Sequence, residues 1–197
     1  MPEAAVGELE HLRAELSQLL ARQQILDCIH RAARGLDRHD VELLASAFHP
    51  DAVVRYGKII DGVPGIARKL NEGHASSSRA HTHNITTHNC RIDGDSAEAE
   101  SYVLAGLASG DRTTVRLLGA RCSVLGARCS VLGARYLDVL DKRNDRWLIS
   151  AREVVIEWSM SGDASAFHSE TFNARGYPTG SWDGSDPSYR IGGFPRA

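Results

Sequence analysis

The second half of the chain alternates polar and apolar residues with a period of two, and this pattern limits the fold more than any other feature. Segments 83–92, 97–107 and 147–158 alternate in this way. The Asp-Gly-Asp sequence at 93–95 and the Arg-Asn-Asp sequence at 143–145 are typical of hairpin turns. Because a tight turn joins antiparallel neighbours, the pattern predicts an antiparallel sheet whose strands follow one another along the chain.

Helical periodicity dominates the first part of the chain. Apolar residues spaced by three and four predict a helix over 8–34, with Gly35 as its stop. Two further helices are predicted at 41–48 and 64–71, and the Ser-rich segment 73–80 is predicted to be a loop. Three helices followed by consecutive antiparallel strands indicate an α+β fold.

Length and charge exclude several classes of protein. The chain has 197 residues, which suits one domain at 1–162 and an extended tail at 163–197. This tail is rich in aromatic residues, so we expect it to pack on the domain or on a neighbouring subunit.

A net charge of −2 gives no reason to expect nucleic acid or a membrane as a partner. No apolar run reaches about 18 residues, and the N-terminus lacks the features of a signal peptide, so we expect a cytoplasmic location.

A heptapeptide is repeated without change within the strand region. Residues 119–125 read GARCSVL, residues 126–132 are identical, and 133–135 begin a third copy. Without both copies, Leu118 would join Gly133 in one continuous strand. Two copies add an even number of residues, which keeps the strand faces in phase. We interpret the repeat as a tandem duplication, accommodated as a bulged loop or a longer hairpin, with no catalytic role.

Histidines are concentrated where the first long strand begins. Four of the nine, His74, His81, His83 and His88, lie close together. On a strand, His81, His83 and Ile85 share one face, where a buried sheet would carry Val or Ile. That face is therefore either solvated or part of a pocket. No Asp, Glu or Cys stands at ligand spacing near the His81–His83 pair, so no metal site is predicted.

Three motifs in the chain carry a family resemblance. They are residues 34–40 (RGLDRHD) leading into 47–52, the segment 81–95 ending in DGD, and 144–149 (NDRWLI) leading into 152–155. Together they resemble the SnoaL-like branch of the nuclear-transport-factor-two-like superfamily. The resemblance implies an α+β cone, in which a strongly curved antiparallel sheet wraps around three N-terminal helices and encloses a pocket.

Within that branch, the chain is most similar to enzymes that perform eliminations without a cofactor: hexachlorocyclohexane dehydrochlorinases, scytalone dehydratase and bile-acid dehydratases. These enzymes place an Asp after the first helix and a His at the start of the first long strand, and the matching residues are Asp37 and His83. The resemblance implies a cofactor-independent lyase that uses this pair as a general base on a small hydrophobic, cyclic or aromatic molecule. The chain departs from the bile-acid dehydratases at two positions: it has Ala32 where they have Tyr, and it has no Asp at 104–106 where they have one. The resemblance therefore does not imply that this protein acts on the substrate of the bile-acid dehydratases.

Three further residues are candidates for substrate binding. His81 shares the strand face of His83. Arg152, on the last strand, could stabilise a developing anion, or pair with a carboxylate such as Glu100. Tyr102 could donate a hydrogen bond to a substrate oxygen, although a Tyr in a sheet usually packs.

Two other functions are compatible with the same fold. One is an isomerase or cyclase that uses the Asp alone as its base. The other is a non-catalytic small subunit, like the β subunit of ring-hydroxylating dioxygenases. Apolar residues on both faces of the predicted strands also predict a homo-oligomer, either a dimer or a trimer.

Overall fold

The computed structural model describes residues 3–63, 65–109, 115–117, 120–122, 128–163, 169–178 and 180–191. Three helices precede the long antiparallel strands, as the sequence predicts: α1 (Glu3–Asp37), α2 (Val41–Ala45) and α3 (Gly65–Ser77). Asp40 caps α2, because its carboxylate accepts a hydrogen bond from the backbone N–H of Leu43 at 2.9 Å. The third helix includes residues 73–77, which the sequence predicted to be a loop.

The described strands form one large sheet and one small hairpin. They are β1 (Phe48–Tyr56), β2 (Ile59–Gly62), β3 (Ala80–Asp93), β4 (Ser96–Ala108), β5 (Val115–Leu117), β6 (Ala120–Cys122), β7 (Arg128–Arg143) and β8 (Arg146–Asp163). The six-stranded sheet has the order β2-β1-β8-β7-β4-β3 and is open between its two edges. All neighbours are antiparallel except β1 and β8. The predicted α+β cone is confirmed, with a mixed rather than purely antiparallel sheet.

The helices cover one face of this sheet and form the core with it. Ile25, Cys28 and Ile29 of α1 are fully buried in the same cluster as Leu140 and Ile149 of the sheet. Burying one Ile or Leu side chain contributes about 1.5–3 kcal/mol to folding. This packing fixes the C-terminal end of α1 above the beginning of β3.

Gly35 permits close helix packing rather than ending a helix. The first helix continues past it to Asp37. A Cβ on Gly35 would lie 2.5 Å from the backbone nitrogen of Leu44, a separation that real Cβ atoms do not tolerate. Only glycine therefore allows α2 to approach α1 this closely. The chain reverses direction at His39, whose φ of 52° lies in the left-handed region.

The repeated heptapeptide contributes to the sheet. β7 begins at Arg128, inside the second copy, and Cys129 lies opposite Ala108 of β4. In the first copy, Ala120–Cys122 forms β6. Residues 128–132 of the second copy therefore extend β7, and 129–132 pair with β4. Residues 118–119 and 123–127 lie outside the described residues.

The sheet face opposite the helices is open to solvent and partly apolar. Val53, Tyr102, Leu104 and Val139 are between 39% and 46% exposed on it. A homo-oligomer would cover such a face, and the oligomeric state stays a prediction. In the described part of the chain, no helix has the length and apolar character needed to cross a membrane.

Beyond β8 the described chain forms α4 (Glu170–Asn173) and a short 3-10 helix (Pro187–Ile191). Residues 180–191 return to the end of α1. There the carboxylate of Asp186 lies 3.3 Å from the guanidinium of Arg38. The tail therefore contacts the domain close to the predicted catalytic residues.

Candidate active site

Asp37 and His83 form a hydrogen-bonded pair where α1 meets β3. Nδ1 of His83 lies 2.7 Å from Oδ1 of Asp37, and the backbone N–H of His83 donates to Oδ2 at 3.0 Å. The two side chains are 14% and 3% exposed, for Asp37 and His83 respectively. Two hydrogen bonds from one residue hold the carboxylate in a single orientation.

This pairing determines which nitrogen of His83 can accept a proton. A carboxylate only accepts hydrogen bonds, so Nδ1 of His83 carries the proton that it donates to Asp37. Nε2 consequently has the free lone pair. The carboxylate also stabilises the imidazolium that forms when Nε2 takes up a proton. The pair has the arrangement expected of a general base.

His81 is held in the opposite tautomer by the end of α1. Its Nε2 lies 3.0 Å from the carbonyl oxygen of Leu36, which can only accept, so Nε2 carries the proton. Nδ1 is then an acceptor, and this buried atom has no hydrogen-bond partner within the described residues. Burial lowers the pKa of His81 below its ordinary value, which keeps the ring neutral at neutral pH. His81 therefore offers a buried lone pair to a ligand.

Two more histidines and a tryptophan surround His81. His74, in the last turn of α3, stacks on His81 with ring centroids 4.5 Å apart and lies 5.2 Å from the ring of His83. His39 lies 4.9 Å from His81 and stacks on Trp182 at 3.9 Å. Burial, reinforced by the neighbouring imidazoles, lowers the pKa of His74 to about 3 and that of His39 to about 4. Both rings are therefore neutral at pH 7.

The C-terminal segment 180–191 is tied to the helix that carries Asp37. Asp186 pairs with Arg38, and Ser188 accepts a hydrogen bond from the guanidinium of Arg34 at 3.2 Å. Burial opposes ionisation of Asp186, but hydrogen bonds from Ser188 and neighbouring backbone groups lower its pKa to about 2. The carboxylate is therefore charged at neutral pH and holds the segment, with Trp182, over the imidazoles.

A pocket of about 230 Å³ opens beside the Asp37–His83 pair. It is lined by His30, Ala33, Arg34, Asp37, Arg38, His83 and Ile85. A cavity of about 150 Å³ is large enough for benzene, so this pocket can take a substituted six-membered ring. A second cavity, deeper in the cone beside Phe48 and Tyr136, measures only about 20 Å³. The pocket beside His83 is thus the better candidate for a substrate site.

Arg152 lies outside this pocket, in the core. Its guanidinium donates two hydrogen bonds to the carboxylate of Asp138, at 2.6 and 2.7 Å, and both residues are buried. The sequence suggested Glu100 as a partner, but Glu100 accepts from Arg135 at 2.7 Å instead. Because Asp138 neutralises Arg152, the structure does not make Arg152 an anion-stabilising group of this pocket.

Tyr102 also lies away from the pocket. Strand alternation places Ser101 and Val103 on the inner face of β4, together with Ala105 opposite His83, and turns Tyr102 outwards. Its side chain is 43% exposed and is not among the residues that line the pocket beside His83. A wider groove of about 780 Å³ crosses that outer face, and neither the imidazoles nor Asp37 line it.

The fold also supplies a possible metal ligand set that the sequence did not reveal. One ligand atom from each of Asp37, His81 and His83 lies within 4.8 Å of the other two. The sequence predicted no metal site, because no carboxylate or thiolate stands near the two histidines along the chain. The packing of α1 on β3 brings a carboxylate to them.

Residues 17–153 match the sequence profile of the SnoaL-like domain, which is well over half of the chain. The chain belongs to the SnoaL-like family. No sequence among the curated proteins matches it significantly. The profile match ends within β8, so Trp182 and Asp186 lie outside the matched residues.

Solved structures share the SnoaL-like fold of this protein. The hexachlorocyclohexane dehydrochlorinase LinA-type3 from Novosphingobium barchaimii is 18% identical, with a TM-score of 0.62 over 76% of this chain and 95% of that chain. A protein named as a candidate scytalone dehydratase, from Novosphingobium aromaticivorans, is 21% identical, with a TM-score of 0.57 over 73% and 88%. A Mycobacterium tuberculosis protein of unknown function, Rv3472, is 19% identical, with a TM-score of 0.55 over 72% and 74%.

Sequence reasoning missed the roles of His74, Trp182 and Asp138. His74 was assigned to a loop, although the histidine cluster in the sequence already included it. Trp182 lies more than 140 residues after His39, on which it stacks, and no local pattern joins the two. Asp138 lies on a strand face that its sequence neighbours predict to be apolar, so a buried acid there was itself a signal that it has a cationic partner.

Proposed function

We propose that this protein is a cofactor-independent lyase that carries out β-elimination on a small cyclic or aromatic molecule. The observation that supports this most strongly is the 2.7 Å contact between Asp37 and His83 beside a pocket of about 230 Å³. A histidine whose tautomer is fixed by a carboxylate is a general base that works near neutral pH.

The proposed step is a proton transfer coupled to loss of a leaving group. Nε2 of His83 removes a proton from the carbon next to the one that bears the leaving group. The electrons of that C–H bond form the new double bond, and the leaving group departs with its own electron pair. A halide leaves as an anion, whereas a hydroxyl group leaves as water after the imidazolium returns its proton to the oxygen. Asp37 stabilises the imidazolium throughout.

The surroundings of the pair suit a compact substrate. The pocket volume fits one substituted six-membered ring. Ile85 supplies an apolar wall, and Arg34 places positive charge at the pocket, where it would stabilise developing negative charge on the leaving group. The charge of Arg38 is balanced by Asp186. His81 shares the strand face of His83 but is not among the residues that line this pocket.

The geometry favours this function over the two alternatives. An isomerase that uses an Asp alone needs a carboxylate directed at its substrate, whereas both oxygens of Asp37 are directed at His83 and accept hydrogen bonds from it. A non-catalytic subunit has no need for a buried Asp–His pair next to an open pocket. The structural neighbours include a dehydrochlorinase and a protein named as a candidate dehydratase, which is consistent with elimination chemistry.

Two probe substrates test the proposal: hexachlorocyclohexane, followed by chloride release, and scytalone, followed by its absorbance change on loss of water. We expect turnover of at least one halogenated or hydroxylated ring. His83→Gln should lower the rate about 10²- to 10⁴-fold, because the general-base contribution is lost.

Tyr102→Phe is the matched control, since this strand residue faces away from the pocket, and we expect it to retain full activity. Equal activity of His83→Gln and the unmodified protein would refute the assignment of the base. Failure to release chloride or water from any ring that binds in the pocket would refute the lyase function itself.

A further inference from the structure

The carboxylate and imidazoles at the junction of α1 and β3 have the composition of a transition-metal site. We propose that Asp37, His81 and His83 bind a divalent first-row transition ion such as Zn²⁺. Two imidazoles and one carboxylate are a ligand set that such ions commonly use in proteins. This inference goes beyond the proposed lyase function and does not depend on it.

The strongest evidence is the unsatisfied nitrogen of His81. This residue is 4% exposed, and its Nδ1 has no partner in the described part of the chain. A buried acceptor without a partner costs roughly 1–3 kcal/mol. A metal ion would satisfy this lone pair directly.

The other ring nitrogen of His81, Nε2, has the kind of hydrogen-bond partner that a metal-binding histidine usually has. Its Nε2–H donates to the carbonyl of Leu36 at 3.0 Å. In metal sites, a ligating histidine usually donates its other N–H to a carbonyl or carboxylate, which fixes the ring orientation and makes the ligating nitrogen more basic. His81 already has this outer partner, so no rearrangement of its ring is needed to expose the lone pair.

The three side chains are close enough to share one ion. Their ligand atoms lie within 4.8 Å of one another. Bonds of about 2.0–2.2 Å in a tetrahedral site place ligand atoms roughly 3.3–3.6 Å apart, so binding requires side-chain rotations that shorten the widest separation by about 1 Å. The ring of His74, 4.5 Å from that of His81 and 5.2 Å from that of His83, adds a further imidazole at the edge of this site.

Ion binding and proton abstraction would exclude each other at His83. An ion at Nε2 occupies the lone pair that accepts the substrate proton. An ion at Nδ1 binds the other neutral tautomer of His83, in which the proton has moved from Nδ1 to Nε2, so Nε2 no longer has a free lone pair. In either case His83 ceases to be a base, so the ion would inhibit an elimination that depends on this residue.

The experiment uses the full chain, treated with EDTA and then titrated with Co²⁺, whose visible absorption reports coordination by nitrogen and oxygen. Zn²⁺ is titrated in parallel by calorimetry. We expect saturation at one ion per chain, and loss of both signals in His81→Gln and in His83→Gln. His88→Asn is the matched control, because it removes a half-buried histidine from the same strand outside the ligand set, and it should bind as the unmodified protein does.

A second measurement leaves the three proposed metal-binding residues unchanged. The ring of Trp182 lies 5.5 Å from that of His81, so bound Co²⁺ should quench its fluorescence. Trp182→Phe should lose that quenching while it retains the absorption change. Absence of saturable Co²⁺ binding, or binding that both glutamine variants retain, would overturn the metal site. Retained Co²⁺ binding together with lost elimination in His83→Gln would overturn this inference alone and leave the proposed lyase intact.

Discussion

Nδ1 of His83 lies 2.7 Å from Oδ1 of Asp37, although 46 residues separate the two in the sequence. The same carboxylate also accepts the backbone N–H of His83 at 3.0 Å. These contacts join Asp37, the last residue of α1, to His83 near the beginning of β3. The end of the helix and the start of the strand therefore cannot shift independently.

Asp37→Asn should lower elimination activity about 10²- to 10⁴-fold with little change in fold, because the amide favours the wrong tautomer of His83. Combining it with His83→Gln should cost little more than either substitution alone, since residues that act as a unit are not additive. Steady-state rates for the two single variants and the double variant measure this. Multiplicative losses would show that the two residues act separately.

Asp138→Asn should destabilise the protein by about 3–5 kcal/mol, because it leaves the buried guanidinium of Arg152 without its counter-charge. Urea unfolding gives the free energy. Glu98→Gln is the control, since it breaks the exposed pair with Arg91 and should change the unfolding midpoint little. Similar midpoints for both variants would mean that Asp138 does not balance the Arg152 charge.

Gly35→Ala should destabilise the protein by at least about 1–3 kcal/mol, because the added methyl group overlaps the backbone of Leu44. Thermal unfolding followed by circular dichroism measures the change. Gly7→Ala is the control: this helical glycine has open space around it, and alanine has the higher helix propensity. If Gly35→Ala were as stable as the parent, Gly35 would not be needed for the contact between α1 and α2.

Trp182→Ala should loosen the C-terminal segment, because it removes the stacking on His39, worth about 0.5–1.5 kcal/mol. Hydrogen exchange of the amides in 180–191 should become faster, while exchange in the sheet stays unchanged. Tyr177→Ala, at a position 68% exposed, is the control and should leave exchange in 180–191 as it was. Unaltered exchange in the tryptophan variant would show that other contacts alone hold the segment.

Stability should fall as the pH drops below about 6.5, and His88 should account for part of the fall. Burial lowers the pKa of His88, with the charge of Asp138 opposing this effect. Below pH 6.5 the unfolded chain therefore binds a proton at this position that the folded chain resists, so unfolding takes up protons and becomes easier. Above the ordinary pKa of histidine both states are neutral and the penalty disappears.

The variant that isolates this effect is His88→Asn. Its melting temperature relative to the unmodified protein should be constant between pH 8 and about pH 7 and should rise as the pH falls from about 6.5 to 5, because the variant lacks the penalty. Thr87→Asn changes an exposed position of the same strand that carries no ionisable group, so it should show no such trend. A difference in melting temperature that is constant with pH would contradict the assignment to His88.

The sequence by itself was sufficient for the fold class and for the proposed catalytic pair. Spacing of three and four specified the helices, and alternation specified the strands, because each pattern is a property of adjacent residues. The same alternation placed His81 and His83 on one strand face. The family resemblance then singled out Asp37 as the partner of His83, and the structure brings the two within hydrogen-bond distance.

Only the tertiary structure decided which distant groups meet. It paired Arg152 with Asp138 rather than Glu100, turned Tyr102 away from the pocket, and laid Trp182 over His39. These outcomes depend on strand register, on how closely α2 approaches α1, and on the path of the tail. None of these can be predicted from a local sequence pattern. A carboxylate joins His81 and His83 for the same reason: Asp37 is distant along the chain and becomes their neighbour only because hydrophobic burial presses α1 onto the sheet.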